Sequence, residues 1–492
     1  MLIYGIPQTP TSLDPVTATD LIYYQIAFNI FETLITINRE KGQFRPALAR
    51  AWHSDSTGLC WTFSLRPDVM FHDGSHLNAE AVKISFERQF NTGSLYFRPE
   101  VTNTFGQFAF GMLKEIRVLN DSTVQFILKY PYSAFLDNLA TPKLAAIVSA
   151  SALKTSAEQL GHHPAGTGPF QFVRWEADRK IVIKKFSQYW GNPPQLDSVV
   201  YRIVPNLETR VQALQDGHLD VISGLSAASV DQLNRLEGIH VVETPILGTT
   251  FLGFNCQKYP FSDVKVRQAV ARALDKKALV LSVSRGLAIP ARGPLPPTAI
   301  SYDTTLTSLP YDTSAAKALL QNSCYVKDSA VALNYFIETD TLRASPMVQG
   351  FKYYLKKAGM DVNIVPFYDW QKFLNNILSG SKAQLFWTAW SCQTPHPDNF
   401  LYSLFHSRSA HNFFKYENTD VDSLLEQARR APNNQEQHRL YKRVQEIIMH
   451  DVPAVFISHP KAVYAIRDRV KNFRVDPLAI PWLNEVRLED AK

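Results

Sequence analysis

The sequence predicts an α/β protein built from more than one folding unit. Three observations carry this. The chain has 492 residues with ordinary globular composition, 45% hydrophobic and 20% charged. At ~100–200 residues per domain that length implies two to four units with ample core. From Thr249 onward, short apolar runs with strand character alternate with helical patterns, which argues for an α/β domain with a mainly parallel sheet.

The elements can be justified in order. The N-terminus reads as a strand entered directly, followed by an apolar, helix-like stretch over Tyr23–Ile37. Trp61, Phe63 and Leu65 share one face of a strand, which Arg66-Pro67 stops before a turn at Phe71-His72-Asp73-Gly74. Asn78 can cap a helix with Glu80 in its first turn. Val124–Leu128 alternates as a strand. Phe170 and Phe172, then Ile181–Lys184, form a two-stranded pattern, followed by a strand at Val199–Val204 and a helix at Glu208–Leu214 that Gly217 ends. A strand at Phe251–Asn255 leads to a helix at Asp263–Leu274. Strands at Ala330–Ile337, Val362–Val365 and Gln384–Ala389 flank a helix at Met347–Ala358. A helix from Glu436 to Met449 precedes two strands, Ala454–Ile457 and Val463–Ala465.

Several function classes are excluded. Lys and Arg number 51 against 45 Asp and Glu, a net charge of +6, yet no run of four basic residues exists, so no nucleic-acid partner is expected. No segment approaches the ~20 apolar residues needed to cross a bilayer, and the chain reads as soluble. There is no GxSxG, HExxH or EF-hand loop. Gly161 and Gly166 have P-loop spacing, but Thr167 stands where the lysine belongs. His162 and His163 are neighbours, and neighbours do not share a face, so they read as a solvated loop. His396, His406 and His411 lack the i, i+4 spacing of a helical metal pair and read as polar-loop residues. Cys60, Cys256, Cys324 and Cys392 show no CxxC pattern and are expected as free thiols. Lys276-Lys277 reads as a solvated helix end. Neither a catalytic pair nor a cofactor or metal site is expected.

Several motifs then fall in sequence. Ser12-Leu13-Asp14-Pro15 is the first. Leu48-Ala49-Arg50-Ala51-Trp52 precedes Phe63-Ser64-Leu65-Arg66, Phe71-His72-Asp73-Gly74 and Ala79-Glu80-Ala81-Val82. Gly166-Thr167-Gly168-Pro169-Phe170 pairs with Tyr189-Trp190-Gly191, and Ala213-Leu214-Gln215-Asp216-Gly217 with Asp220. Phe254-Asn255, Pro260-Phe261 and Val264 to Asp275 complete the series. In this order the chain resembles the bacterial family-5 extracytoplasmic solute-binding proteins, receptors of peptide- and nickel-type ABC importers, from about Tyr4 to Arg474. The resemblance implies a two-lobed periplasmic-binding-protein fold of the class II type, with an extra domain and two crossover hinge segments. Lobe one would comprise 1–38, 155–243 and 458–492, the additional domain 39–154, and lobe two 244–457.

The resemblance also places candidate site residues. Trp390 through Pro397-Asp398-Asn399-Phe400 is similar to the W-x-x-D-x-x-x-P-D-N-F stretch of the dipeptide-binding branch, whose Asp pairs with the peptide ammonium. Gln393 stands at that Asp position. A carboxylate–ammonium bond in a dry site contributes ~1.5–3 kcal/mol, and Gln brings no counter-charge, so the cargo's amine is expected to be anchored differently. Trp390, Ser391 and Gln393 are the first candidates, with Trp387 divided between core packing and ligand stacking. Arg343 is placed near a carboxylate-binding arginine of relatives, before a helix beginning at Ser345-Pro346. Asp20 and Tyr23 follow the early turn. Oligopeptide-binding relatives carry a disulfide at positions that align with Gly248 and Ser391, so that bridge is absent here. The function implied is capture of short peptides, or a peptide-like solute such as glutathione, for delivery to membrane permease subunits. The protein would be a monomer in the periplasm or anchored to the cell envelope, with a nickel chelate or haem as the alternative cargo.

Overall fold

The computed structural model describes residues 1–18, 20–38, 43–97, 104–156, 159–325, 333–339, 345–380, 383–431 and 433–489. The chain folds into two compact units, Met1–Thr244 with Ala462–Lys492, and Pro245–Lys461. Among the described residues no helix is long and apolar enough to cross a membrane.

The first unit is organised around the strand Leu2–Ile6, which pairs in parallel with Ser198–Ile203 and with Val221–Ser223. Lys180–Lys185 and Phe170–Glu176 extend the sheet antiparallel beyond Ser198–Ile203. Tyr4, Tyr201, Ile183 and Val199 of these strands are fully buried in one hydrophobic cluster. A second cluster lies on a four-stranded antiparallel sheet of Ala49–Ser54, Cys60–Leu65, Thr123–Leu128 and Leu113–Asn120. The helix Ala79–Phe90 covers that sheet. Asn78 caps it, accepting from the amide of Ala81, as the sequence predicts. Its Phe86 meets Phe126 edge-on at 5.0 Å, and burying a phenyl ring of this kind contributes ~1.5–3 kcal/mol.

The long helix expected over Tyr23–Ile37 is not formed. The helix covers only Leu21–Ala27, because the backbone that follows is bonded elsewhere: Ile30 accepts from the amide of Gly168 (2.9 Å) and Asn29 from that of Phe170 (3.0 Å). The approach is close enough to require glycine. A Cβ on Gly166 would lie 2.1 Å from the Ile30 oxygen, and one on Gly168 2.8 Å from that of Asn29.

The second unit is mixed rather than mainly parallel. Asn334–Ile337 pairs in parallel with Asn363–Pro366 and with Leu385–Ser391. Gly248–Phe254 then joins Leu385–Ser391 and Ala454–Arg467 antiparallel. Parallel neighbours need a crossover of a dozen or so residues. The helices Pro346–Ala358 and Trp370–Ser379 supply it for the parallel strands, and the antiparallel ones have no such connector. Ala454–Arg467 is one strand of 14 residues, not two. Pro460 lacks an amide but does not break it: it pairs with Ala288 at the short strand Ala288–Pro290, and its carbonyl accepts from Ile246 (3.1 Å), an edge-type role open to proline.

Candidate functional site

The candidate residues of the second unit begin on the strand Leu385–Ser391. Side chains alternate along a strand, so Trp387 and Trp390, three apart, point to opposite faces. Trp387 packs on Phe351 of the helix Pro346–Ala358 at 5.2 Å and belongs to the hydrophobic core there. Trp390 lies on the other face against His411 (5.3 Å) and Phe413 (5.7 Å). Its indole donates to the Asn399 carbonyl at 3.2 Å.

Asn399 organises the loop. Its Oδ1 accepts the amide of Gln393 at 2.8 Å, so one residue of the P-D-N-F motif holds both Trp390 and Gln393. Gln393 is buried, and its Nε2 donates to the Ser391 carbonyl at 3.3 Å. That leaves its Oε1 as the unused group, a neutral acceptor. The Cys392 amide ties the segment to the Leu247 carbonyl at 2.7 Å. Ser391 is exposed and lies opposite Gly248 in the ladder. The two positions named by the absent disulfide are therefore cross-strand partners.

Asp398 sits beneath this loop, wholly buried. Arg429 Nε donates to its Oδ1 (2.8 Å) and the terminal nitrogen to Oδ2 (3.0 Å), and the guanidinium lies over the Tyr402 ring at 3.2 Å. A planar fork on a carboxylate fixes both partners in orientation. The sequence offered Asp398 as a motif letter; the structure gives it the role of an anchor.

Asp20 and Tyr23 lie in the first unit. Asp20 caps the helix Leu21–Ala27: its carboxylate accepts from the Tyr23 amide (2.7 Å), the Thr11 amide (2.9 Å) and the Thr11 hydroxyl (2.7 Å). Tyr23 is fully buried in the hydrophobic cluster, and among the described residues its hydroxyl has no hydrogen-bond partner. Asp14 of the S-L-D-P turn is buried and forked by Arg88 of the helix Ala79–Phe90, at 3.1 and 2.6 Å. Arg343 lies outside the described residues.

Other expectations are corrected. His396 and His406 are buried within their loop segments; the rings pack on Tyr441 (5.9 Å) and Tyr402 (4.2 Å), and burial lowers the pKa of His406. Lys276 does not solvate a helix end. Its ammonium turns inward to the Ala291 carbonyl (2.6 Å) and Ser308 (2.5 Å), and burial pushes its pKa down to about 8. The four cysteines are free thiols. Among the described residues no group of three or more His, Cys, Asp or Glu is arranged to hold a metal ion.

One functional group escaped the sequence reading altogether. Glu32 accepts three hydrogen bonds, from Thr167 Oγ1 (2.9 Å), Tyr189 OH (2.9 Å) and Trp190 Nε1 (2.8 Å). These donors come from the G-T-G-P and Y-W-G motifs, and Arg66 of F-S-L-R lies over the Trp190 ring at 4.6 Å. Burial pushes the Glu32 pKa up to about 7 against the pull of its donors. No local pattern marks Glu32, since its partners lie 135 to 158 residues away.

Residues 43–412 match the bacterial extracellular solute-binding proteins, family 5. The chain belongs to this family. It is 30% identical to the dipeptide-binding protein of Escherichia coli K12, over 99% of this chain and 94% of that protein. It is 31% identical to the glutathione-binding protein GsiB of Pectobacterium atrosepticum, over 96% and 91%. The heme-binding protein A of Haemophilus influenzae is 30% identical over 96% and 90%. Among solved structures, the periplasmic binding protein DppA of Helicobacter pylori in complex with the peptide STSA superimposes with a TM-score of 0.86 at 30% identity, covering 99% of this chain and 98% of that one.

Proposed function

We propose that this protein is the cargo-capturing receptor of an ABC importer, and that its cargo is a short peptide or a peptide-like solute such as glutathione. The reading rests chiefly on the full-length likeness to a periplasmic binding protein whose solved structure is a complex with a peptide. Cargo would be held where the lobes close on it, by rotation about the two crossover segments, with its preference for the closed form driving the change. Lobe one (1–38, 155–243, 458–492), the additional domain (39–154) and lobe two (244–457) would be the moving parts. The separate hydrophobic clusters of the first unit support dividing it in two. The closed receptor would then deliver its cargo, chemically unchanged, to membrane permease subunits from the periplasm or an envelope anchor.

Trp390, Ser391 and Gln393 are the contacts assigned to cargo in lobe two, with Arg343 as a carboxylate partner and Asp20 and the Tyr23 segment in lobe one. The neutral Gln393 oxygen can accept from an ammonium but leaves its charge uncompensated, which is costly in a dry site. The cargo therefore presents there a neutral donor, or carries its amine to another acid.

A thermal-shift panel of di- to pentapeptides, glutathione, nickel-histidine and haem identifies the class. A peptide or glutathione raises the melting temperature, and Gln393→Asp weakens that cargo about tenfold or more. A shift with haem or nickel-histidine alone replaces the peptide reading, and unchanged or tighter binding by Gln393→Asp removes the assigned role of Gln393.

A further inference from the structure

A cavity of about 680 Å³ opens within the first unit beside Glu32, within the ~300–1,000 Å³ range of small-molecule sites. Phe31, Tyr189, Trp190 and Trp482 supply aromatic walls. Its charged lining is acidic: Glu32, Asp476 and Glu485 against Arg474, in a chain whose overall charge is +6. Asp476 is already engaged, accepting from the amides of Leu478 and Ile480 and from the Trp482 indole.

Two polar groups on the wall offer acceptor capacity. Glu32 takes three neutral donors, yet among the described residues no cation lies within ion-pair distance of it, and Arg66 spends its Nε on the Ala47 carbonyl at 2.7 Å. Among the described residues the buried Oδ1 of Asn484 has no hydrogen-bond partner. Glu32 is half-buried, and Arg66 acts on its charge only from beyond ion-pair distance, which leaves the carboxylate without the contacting counter-charge that normally accompanies burial. What such a cavity lacks is a positive group carrying N–H donors, attached to an apolar chain that aromatic faces can cover.

We propose that this cavity is a second ligand site, separate from the cargo contacts, that binds a small aliphatic primary ammonium. The ammonium sits against Glu32 and the free oxygen of Asn484, and the alkyl chain lies along Tyr189, Trp190 and Trp482. The orphan acceptors set the selectivity. A primary ammonium satisfies them, whereas a quaternary ammonium supplies charge without a donor and a diol supplies donors without charge. Burial raises the pKa of Glu32, and its three donors and the more distant Arg66 offset that only in part.

Calorimetry of the full chain with putrescine tests this, with tetramethylammonium and butanediol as controls, in the presence and absence of a saturating cargo peptide. The expected result is saturable 1:1 putrescine binding that peptide does not compete away, with both controls weaker by about tenfold or more. Glu32→Gln keeps the side chain's shape and should weaken putrescine to a similar extent while leaving peptide affinity unchanged. If that variant does not fold, Trp482→Ala, at the cavity rim, serves instead and should weaken putrescine several-fold. Absence of saturable putrescine heat, equal binding of the controls, competition by peptide, or unchanged affinity in the folded variants would each overturn the proposal.

Discussion

Each unit of this protein carries a carboxylate beside aromatic rings, wholly buried in Asp398 and half-buried in Glu32, and the two are treated oppositely. In the second unit Asp398 meets the Arg429 fork at 2.8 and 3.0 Å with Tyr402 against the guanidinium. Its charge is matched, its lone pairs are used, and the loop above it is fixed. In the first unit Glu32 is held by a hydroxyl, a phenol and an indole, all neutral. Asp398 is finished architecture. Glu32 retains both a charge to be matched and an open cavity in which to match it. A buried acid is thus uninformative by itself, and the nature of its partners separates scaffold from site.

The largest effect should come from breaking the matched pair. Arg429→Met leaves Asp398 buried without its cation and should cost about 3–5 kcal/mol, read from urea denaturation. Adding Asp398→Asn should recover much of the loss, because the orphaned charge goes too. A single-variant cost under about 1 kcal/mol would mean that the fork contributes nothing beyond a surface pair.

Glu32→Gln should be milder, since it orphans no cation, and its signature is in the pH dependence. Burial raises the folded pKa of Glu32 to about 7 from an ordinary value of 4.5, so the folded state binds more protons than the unfolded state between those limits. The contribution of Glu32 to stability is therefore complete below pH 4.5 and lost as pH rises through about 7. Across that window wild type should lose about 2–3 kcal/mol relative to Glu32→Gln. His72 and His459 act in the opposite sense, because burial pushes both down to about 4 from 6.5 and their contribution is lost as pH falls. Subtracting the variant's curve from wild type removes them. A flat difference curve would show that Glu32 is not desolvated.

Much of this was legible in the sequence where the signal is local. The Asn78 cap, the strand carrying Phe63 and Leu65, and the helix ending at Ala358 follow from spacing and cap chemistry. The motif series placed the chain in its family. The rest depends on distant partners. The apolar run after Ala27 looked helical because nothing in it shows that Asn29 and Ile30 are bonded to Gly168 and Phe170. Ala454–Ile457 and Val463–Ala465 read as two strands because the neighbours that carry Pro460 through a single strand are remote. Asn399 was read as a motif letter, yet one side chain and one carbonyl of that residue position both Trp390 and Gln393. His396 looked polar because its aromatic neighbour, Tyr441, lies far along the chain and is invisible in spacing.

The central claim, that the chain captures an intact peptide or peptide-like cargo, is tested most directly by native mass spectrometry after incubation with a defined mixture of di- to pentapeptides, glutathione, haem and nickel-histidine. The account predicts one chain carrying one peptide or one glutathione at its unaltered mass, released intact on denaturation. A haem or nickel adduct with no peptide or glutathione complex, or peptides recovered as fragments, would contradict it.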